Sequence, residues 1–433
     1  MRTSQRFIPA LLSLLMVLGY VSLHAQNINH MRPYDQSGVN YFEDQKDATV
    51  DFEKLTVRLG GNFTQQFQSL SHSNSGLTGL ELYELEPGFN LATANLNIDV
   101  ALSKGIRLNL VTYLSSRHHP ESWVKGGYIQ FDELPFLHSA FVDKLMENVS
   151  IRVGHMEVNY GDTHFRRTDN GNAMYNPFIG NYIIDAFNTE IGGEVYYKKD
   201  GLIAMLGMTN GEINGNITKA KTSDTDNSDK RAASIIGKLG FDKEVADNVR
   251  LRLTGSVYTT KSSAANHIYD GDRGGSRYYL VMVPPGSSAG ASGIFTSGRY
   301  SPGFGDVVTS YMFNAFLKAK GFEVFGTFET GEGRAYNEAA KRNMNQIAAD
   351  VIYRFGKTEN IYIGGRYNTI TADDVTGNEI GINRLQLGGG WFVTPNMLFK
   401  IEYVDQKYKD FPTTSILNDG EFHGIMIEAA VGF

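Results

Sequence analysis

The residues around position 160 have the clearest capacity for chemistry in this chain. His155, Asp162 and His164 lie close together in the sequence, and a histidine beside a carboxylate can move a proton in a hydrolase. However, no strained Gly-x-Ser-x-Gly elbow joins a strand to a helix, and no histidine lies in a His-Glu-x-x-His zinc pattern. We therefore predict no catalytic residue, no metal site and no cofactor, and expect that the chain is not an enzyme.

Residues 160–187 offer a second kind of chemistry, which is selection by charge. Asp162, Arg166, Arg167 and Asp169 place both signs of charge among aromatic residues. If this stretch folded into a pore, these four side chains would narrow it and act on passing ions. An ordinary solvated surface loop is the alternative interpretation.

The elements around this stretch read as β-strands. From residue 52 onward, apolar and polar residues alternate in about sixteen segments, with fourteen to eighteen remaining open. Short connections alternate with long polar ones, as in a barrel with short periplasmic turns and long extracellular loops. We therefore predict an all-β fold, a transmembrane antiparallel β-barrel over residues 52–433.

The last strand carries the two faces that such a barrel needs. Ile425, Ile427 and Val431 share one face with the terminal Phe433, whereas Glu428 lies on the other. One face suits lipid and the other suits water. A soluble sheet with an unusual aromatic terminus is the alternative.

The start of the chain indicates export. Arg2 and Arg6 precede an apolar run that ends near Ala25, so residues 1–25 are predicted to be a signal peptide. The chain has 0 cysteines, which excludes disulfides and thiolate chemistry. A formal net charge of -7 argues against binding nucleic acid.

Charged residues within the strands should face the lumen. On the strand after residue 248, Arg250 and Arg252 alternate with Leu251 and Leu253, and an arginine facing lipid would cost about 2–4 kcal/mol. Acidic residues nearly balance the basic ones, which would give a transverse field across the lumen. Pairing of these charges within the wall is the alternative. The predicted lumen charges are Arg58, Arg107, Arg250, Arg252, Asp350, Arg354, Arg366 and Arg384.

Three further segments have no strand pattern. Residues 26–51 are predicted to lie in the periplasm or to be tucked into the lumen. Residues 134–147 show helical spacing after Pro135 and are predicted to form a small periplasmic helix. The longest connection, residues 263–305, is either a pore lid or a surface loop.

The even strand number, the long third and fifth connections and Phe433 together resemble the Gram-negative outer-membrane porins, specifically their phosphate-selective O/P-type branch. The resemblance implies that residues 160–187 fold inward as the third loop of general porins does. It also implies that the barrel-insertion machinery reads Phe433 as a C-terminal signal, and that the protein forms a homotrimer.

These observations predict a passive diffusion channel in the cell outer membrane. Its partners would be outer-membrane lipid and small hydrophilic solutes, anions among them, with residues 160–187 as the constriction. Two other classes stay open, an outer-membrane hydrolase and a structural or secretion-system barrel without conductance.

Overall fold

A computed structural model describes residues 28, 30–44, 46, 52–116, 122–211, 213, 231–263, 265–271, 277–287 and 296–433. The predicted signal peptide, residues 1–25, lies outside the described residues. None of the described helices has the length and apolar character needed to cross a membrane.

The described residues form one antiparallel sheet that closes on itself. One α-helix, α1 (Ala140–Met146), lies between two of its strands. The strands are β1 (Thr56–Ser73), β2 (Gly88–Phe89), β3 (Thr93–Ser103), β4 (Ile106–Ser115), β5 (Trp123–Phe131), β6 (Val149–Glu157), β7 (Thr189–Lys199), β8 (Leu202–Thr209), β9 (Ser234–Ala246), β10 (Val249–Thr260), β11 (Val307–Ala319), β12 (Phe322–Arg334), β13 (Arg342–Phe355), β14 (Ile361–Asp373), β15 (Glu379–Thr394), β16 (Met397–Lys409) and β17 (Glu421–Gly432).

The first and last strands close the barrel. β1 pairs with β17 from Asn62 opposite Gly432 to Ser73 opposite Glu421. β1 also pairs with β2 and β3, which follow each other along the same edge and make one interrupted wall strand. The described wall therefore has sixteen strands, as the alternation of the sequence predicts.

The connections alternate in length as expected. Short turns such as residues 104–105 and 320–321 lie at the periplasmic end, and the long connections 158–188 and 261–306 lie at the other. The turn between β9 and β10 is short as well, because residues 242–246 continue to pair with β10 as part of β9. The predicted helix between β5 and β6 is α1.

The two faces of the wall follow the predicted alternation. On β17, Ile425 and Ile427 are 46% and 44% exposed. Glu428 lies on the inward face of the same strand and is fully buried. Phe433 continues the outward row, and its backbone exchanges two hydrogen bonds with Gly61 on β1. Apolar side chains thus face lipid, and charged side chains face the lumen.

Segments of the chain itself fill much of the lumen. Residues 160–187, named here the lumen loop, are almost entirely buried within the barrel. Residues 30–44, the N-terminal segment, lie beside the loop, and parts of the 261–306 connection pack above it. The interior therefore contains packed apolar clusters as well as charged side chains.

Candidate functional site

Asp162 fixes the start of the lumen loop to the wall. Its carboxylate accepts hydrogen bonds from Arg252 at 2.7 and 2.8 Å and from Thr254 at 2.7 Å, both on β10. The Lys238 ammonium on β9 lies 3.0 Å from the same carboxylate. Burial raises the pKa of Asp162, but Arg252 and Lys238 outweigh that effect and hold the pKa at about 2. Asp162 is therefore ionised at neutral pH.

Arg166 and Arg167 point in different directions from the loop. Arg166 reaches the wall, where its guanidinium lies 2.6 Å from Glu323 on β12. Arg167 stays within the loop and makes two hydrogen bonds, of 2.6 and 2.8 Å, to Asp185. Both guanidiniums are buried. In this position they hold the loop in shape rather than present free charge to a solute.

The second part of the lumen loop is bound by wall residues of β13 to β16. Arg366 pairs with Asp350 at 2.7 Å and donates to the carbonyl of Gly180 at 3.1 Å. Glu402 accepts a 2.6 Å bond from the backbone N–H of Ile179. Lys400 donates to loop carbonyls at 2.8 to 3.2 Å. The loop backbone thus finds the partners that a buried chain requires.

The N-terminal segment is held in the same way. Glu43 lies 2.6 Å from Arg252 and 3.1 Å from Lys238. Asn40 donates to Glu323 at 2.7 Å, and Arg32 donates to the carbonyl of Phe165 at 3.0 Å. Desolvation of the partly buried Arg32 lowers its pKa to about 10. The segment therefore joins the lumen loop to the wall at β9, β10 and β12.

The 261–306 connection covers the loop from above. The hydroxyl of Tyr278 donates to Glu402 at 2.6 Å, and that of Tyr269 donates to Glu329 at 3.0 Å. Tyr160 of the lumen loop donates to the same Glu329 at 3.1 Å. Two separate insertions therefore share one buried carboxylate on the wall.

One side of the lumen is less filled. A cavity of about 230 Å³, named here the chamber, lies between the two inserted segments and the wall from β3 to β7. Its lining is mostly polar and carries both signs of charge. Its ionisable lining residues include Arg32, Lys125, Arg152, His155, Glu157, His164 and Asp169.

The chamber contains partly exposed charges. Lys125 on β5 pairs with Glu157 at 3.0 Å and also with Asp169 of the lumen loop. Arg152 on β6 is 25% exposed and lies 3.7 Å from Glu194, and its Nε atom has no hydrogen-bond partner. The side chain of Glu157 is 27% exposed. These groups are the ones that a solute in the chamber would meet.

The sequence-predicted site residues divide between these two environments. The structure places Asp169 at the chamber, whereas Asp162, Arg166 and Arg167 are buried anchors of the loop. All eight predicted lumen charges face inward, and seven of them have an opposite charge within 4.0 Å. Their partners are Asp99 for Arg58, Asp132 for Arg107, Asp242 for Arg250, Asp162 for Arg252, Glu323 for Arg354, and each other for Asp350 and Arg366; Arg384 instead bonds Gln406 and loop carbonyls.

Sequence reasoning did not find Lys125 and Arg152 as site residues. Register shifts break the regular alternation next to Lys125, between β4 and β5. Arg152, in contrast, sits between Ile151 and Val153 in regular alternation, so the same argument that selected Arg250 applies to it. The sequence gives no such signal for the N-terminal segment, because its apolar and polar residues do not alternate regularly.

Two histidines raised the hydrolase hypothesis. His164 lies 2.5 Å from Glu157 and His155 lies 3.0 Å from the Thr189 hydroxyl. These are two separate pairs on the chamber wall. Within the described residues, no group of three or more histidine or acidic side chains could hold a metal ion.

A closed sixteen-strand wall with apolar side chains outside and inserted loops inside defines a barrel of the outer-membrane porin type. Two similar solved structures are the anion-selective porin from Comamonas acidovorans and the outer membrane channel DcaP of Acinetobacter baumannii. Each is 10% identical with a TM-score of 0.52, covering 88% and 89% of this chain and 100% of the other. The trimer form of OmpT, an outer membrane protein of Vibrio cholerae, is 11% identical with a TM-score of 0.50, over 88% of this chain and 100% of that one.

Identities this low show the fold alone. Neither a protein-family model nor a curated protein sequence matches the chain. The phosphate-selective branch therefore stays a prediction, and what the comparisons show is a β-barrel fold similar to that of outer-membrane porins.

Proposed function

We propose that this protein is a passive channel for small hydrophilic solutes and that they cross through the chamber. The observation that carries the proposal is the polar gap of about 230 Å³ left between the lumen loop and the β3 to β7 wall. The rest of the lumen loop is sealed against the wall by ion pairs and apolar contacts. Solutes would therefore pass along one side of the barrel.

The chamber leads toward the periplasmic side. A second cavity, of about 640 Å³, lies at the periplasmic mouth, and His30 lines both spaces. The constriction would lie beside the ion pair that Lys125 of the wall makes with Asp169 of the lumen loop, with size as the main sieve. Asp162, Arg166 and Arg167 would set its width indirectly by holding the loop.

We further propose a mild preference for anions. Arg32 donates to two carbonyls, of Gly38 and Phe165, and makes no ion pair among the described residues. The side chain of Arg152 is 25% exposed and has only a 3.7 Å contact to a carboxylate, that of Glu194. These two guanidiniums leave positive charge that a passing anion can use. The Comamonas acidovorans structure of similar fold is an anion-selective porin.

Two proposals concern assembly. The aromatic Phe433 would serve as the insertion signal, since this residue is 66% exposed beside the closing strand pair. A homotrimer is the proposed assembly, supported by the trimeric OmpT of similar fold.

The test is conductance of the refolded chain in planar bilayers, with the reversal potential measured under a salt gradient. Stepwise openings with an anion-leaning reversal potential would support the proposal. Silence from well-folded protein would reject it and would favour a structural barrel, for which the packed lumen is the supporting observation.

The route can be tested separately, because the chain has 0 cysteines. Asn109→Cys places a thiol in the chamber, and Ser310→Cys places one in the fully buried face of β11. A charged thiol reagent should reduce the current through the first variant and leave the second unchanged. Equal effects on both would show that solutes do not follow the chamber.

A further inference from the structure

The connection between β5 and β6 exposes an unusual apolar edge at the periplasmic end of the barrel. Residues 132–148, named here the periplasmic connection, contain a short 3-10 helix and α1. Phe141 is 77% exposed, Phe136 56%, Leu137 50% and Leu145 49%. Four large apolar side chains exposed together at one turn mark a surface that contacts something other than water.

The two sides of α1 differ in character. Phe141 and Leu145 are one helical turn apart and therefore share a side. Asp143 and Met146 lie on the opposite side and line the 640 Å³ cavity at the periplasmic mouth, where Met146 is buried. One side of the helix thus faces the mouth of the barrel, and the apolar side faces away from it.

Lys46, which lies just after the N-terminal segment in the sequence, holds the periplasmic connection in place. Its ammonium donates to the carbonyls of Asp132 at 2.9 Å and Val149 at 2.7 Å, and also to that of Met146 at the end of α1. These bonds join both ends of the periplasmic connection. The exposed side chains therefore belong to a fixed element rather than to a frayed one.

The apolar edge continues the lipid-facing surface of the wall. Ile129 on β5 and Val153 on β6 are outward residues that are 39% and 50% exposed. The outward rows of both strands, which include Phe131 and Ile151, lead directly into the periplasmic connection. The edge thus begins where the surface that contacts hydrocarbon ends.

We propose that the periplasmic connection is an interfacial anchor whose apolar edge inserts into the periplasmic leaflet of the outer membrane. The partner is a lipid surface. A short amphipathic helix with a polar side over the pore mouth and an apolar side outward fits the boundary between headgroups and acyl chains. Insertion there would fix the depth of this side of the barrel in the membrane. The proposal needs only a membrane-spanning barrel and is independent of conductance.

Single cysteines in the cysteine-free chain allow a direct test. A nitroxide spin label at Phe141→Cys or Leu145→Cys would be compared with one at Asp143→Cys, on the opposite side of α1. Val351→Cys, an outward residue in the middle of β13 that is 50% exposed, gives the value for a lipid contact. The full chain is refolded into vesicles of phosphatidylcholine and phosphatidylglycerol. The measurement is the collision rate of each label with oxygen and with a water-soluble nickel complex.

The ratio of the oxygen to the nickel collision rate should be severalfold higher for labels at positions 141 and 145 than for the label at 143. At both positions the ratio should approach the one measured at 351. Equal accessibility at 141, 145 and 143 would overturn the proposal. Strong spin–spin broadening at position 141 would also overturn it, because a second copy of the chain would then cover the edge. Folding is checked for each variant by the shift of the folded barrel on unheated gels.

Discussion

Two sides of the lumen are built differently. From β11 to β17 the inward face is almost continuously buried, because the lumen loop and the 261–306 connection pack against it. From β3 to β7 the inward face borders the chamber and several side chains stay partly exposed. The surroundings of the charges therefore differ between the two sides. On the packed side they are buried and hold inserted chain, and on the open side several of them stay partly exposed.

Backbone features accompany the difference. β13 to β17 have 12 to 16 residues each, whereas β4 to β6 have 9 or 10. The strands of the open side approach one another closely at glycines, as those of the packed side do at Gly389 and Gly424. A Cβ added at Gly126 would lie 2.4 Å from the carbonyl oxygen of His155, and one at Gly154 would lie 2.3 Å from that of Gly127. Because these strands are short and carry glycine at these points, the strand backbone rather than a side chain borders the chamber there.

Deleting residues 166–172 should have the largest effect, since it removes both the Arg166 anchor and Asp169 at the chamber. We expect single-channel conductance to rise severalfold, because the deletion removes the constriction together with part of the lumen loop that fills the barrel. The control is a deletion of residues 375–377 in the exposed connection between β14 and β15. An unchanged conductance in the first variant, with the barrel folded, would show that the lumen loop does not limit the current.

Asp162→Asn tests the packed side alone. The change leaves Arg252 and Lys238 with fewer acidic partners, and breaking a buried pair of this kind costs about 3–5 kcal/mol. We expect the lumen loop to loosen, seen as faster tryptic cleavage at Arg166 and Arg167 and as noisy openings. Asp419→Asn, the same substitution in an exposed loop, should change neither. Equal protease resistance of the two variants would mean that Asp162 does not anchor the loop.

The sequence predicts the wall better than it predicts what fills it. The alternation around Arg250 and Ile425 depends only on the pleat of a strand, so strand number and facing follow from local residues. The pairing of Asp162 with Arg252 joins positions far apart, and its exact partners depend on how the loop folds within the closed barrel. The placement of Glu43 depends on the same tertiary contacts and has no local pattern at all.

Acidification should release the loop only at very low pH. The pKa of Asp162 is lowered to about 2 from an ordinary value of about 3.9, so its contribution of roughly 2 kcal/mol is present above pH 4 and is lost as the pH falls through 2. The pKa of Asp185 is raised by burial but lowered further by Arg167 and Arg299, in the same net direction. We expect the protection of the lumen loop's backbone amides from hydrogen exchange, corrected for the intrinsic effect of pH, to stay constant from pH 8 to pH 5. A transition between pH 5 and 7 would contradict the anchoring role of these carboxylates.

Arg152→Gln should give the smallest and most selective effect, because it changes the open side without disturbing the packed one. Removing one partly exposed charge from the chamber should shift the anion-to-cation permeability ratio toward cations by roughly two- to fivefold, the range expected for about 1 kcal/mol at short distance in water. Glu194 loses its counter-charge but keeps its hydrogen bonds to Tyr196 and to the backbone N–H of Asn159, so we expect the variant to fold with lower stability.

The matched control for that change is Arg354→Gln on the packed side. Its partner Glu323 keeps Arg166 at 2.6 Å, so the variant should still fold. Because Arg354 is buried beneath inserted chain, its loss should leave the reversal potential unchanged. If the two variants shift the reversal potential equally, ions sense the whole lumen and the division into a packed and an open side has no functional meaning. If only Arg152→Gln does so, the chamber carries the current.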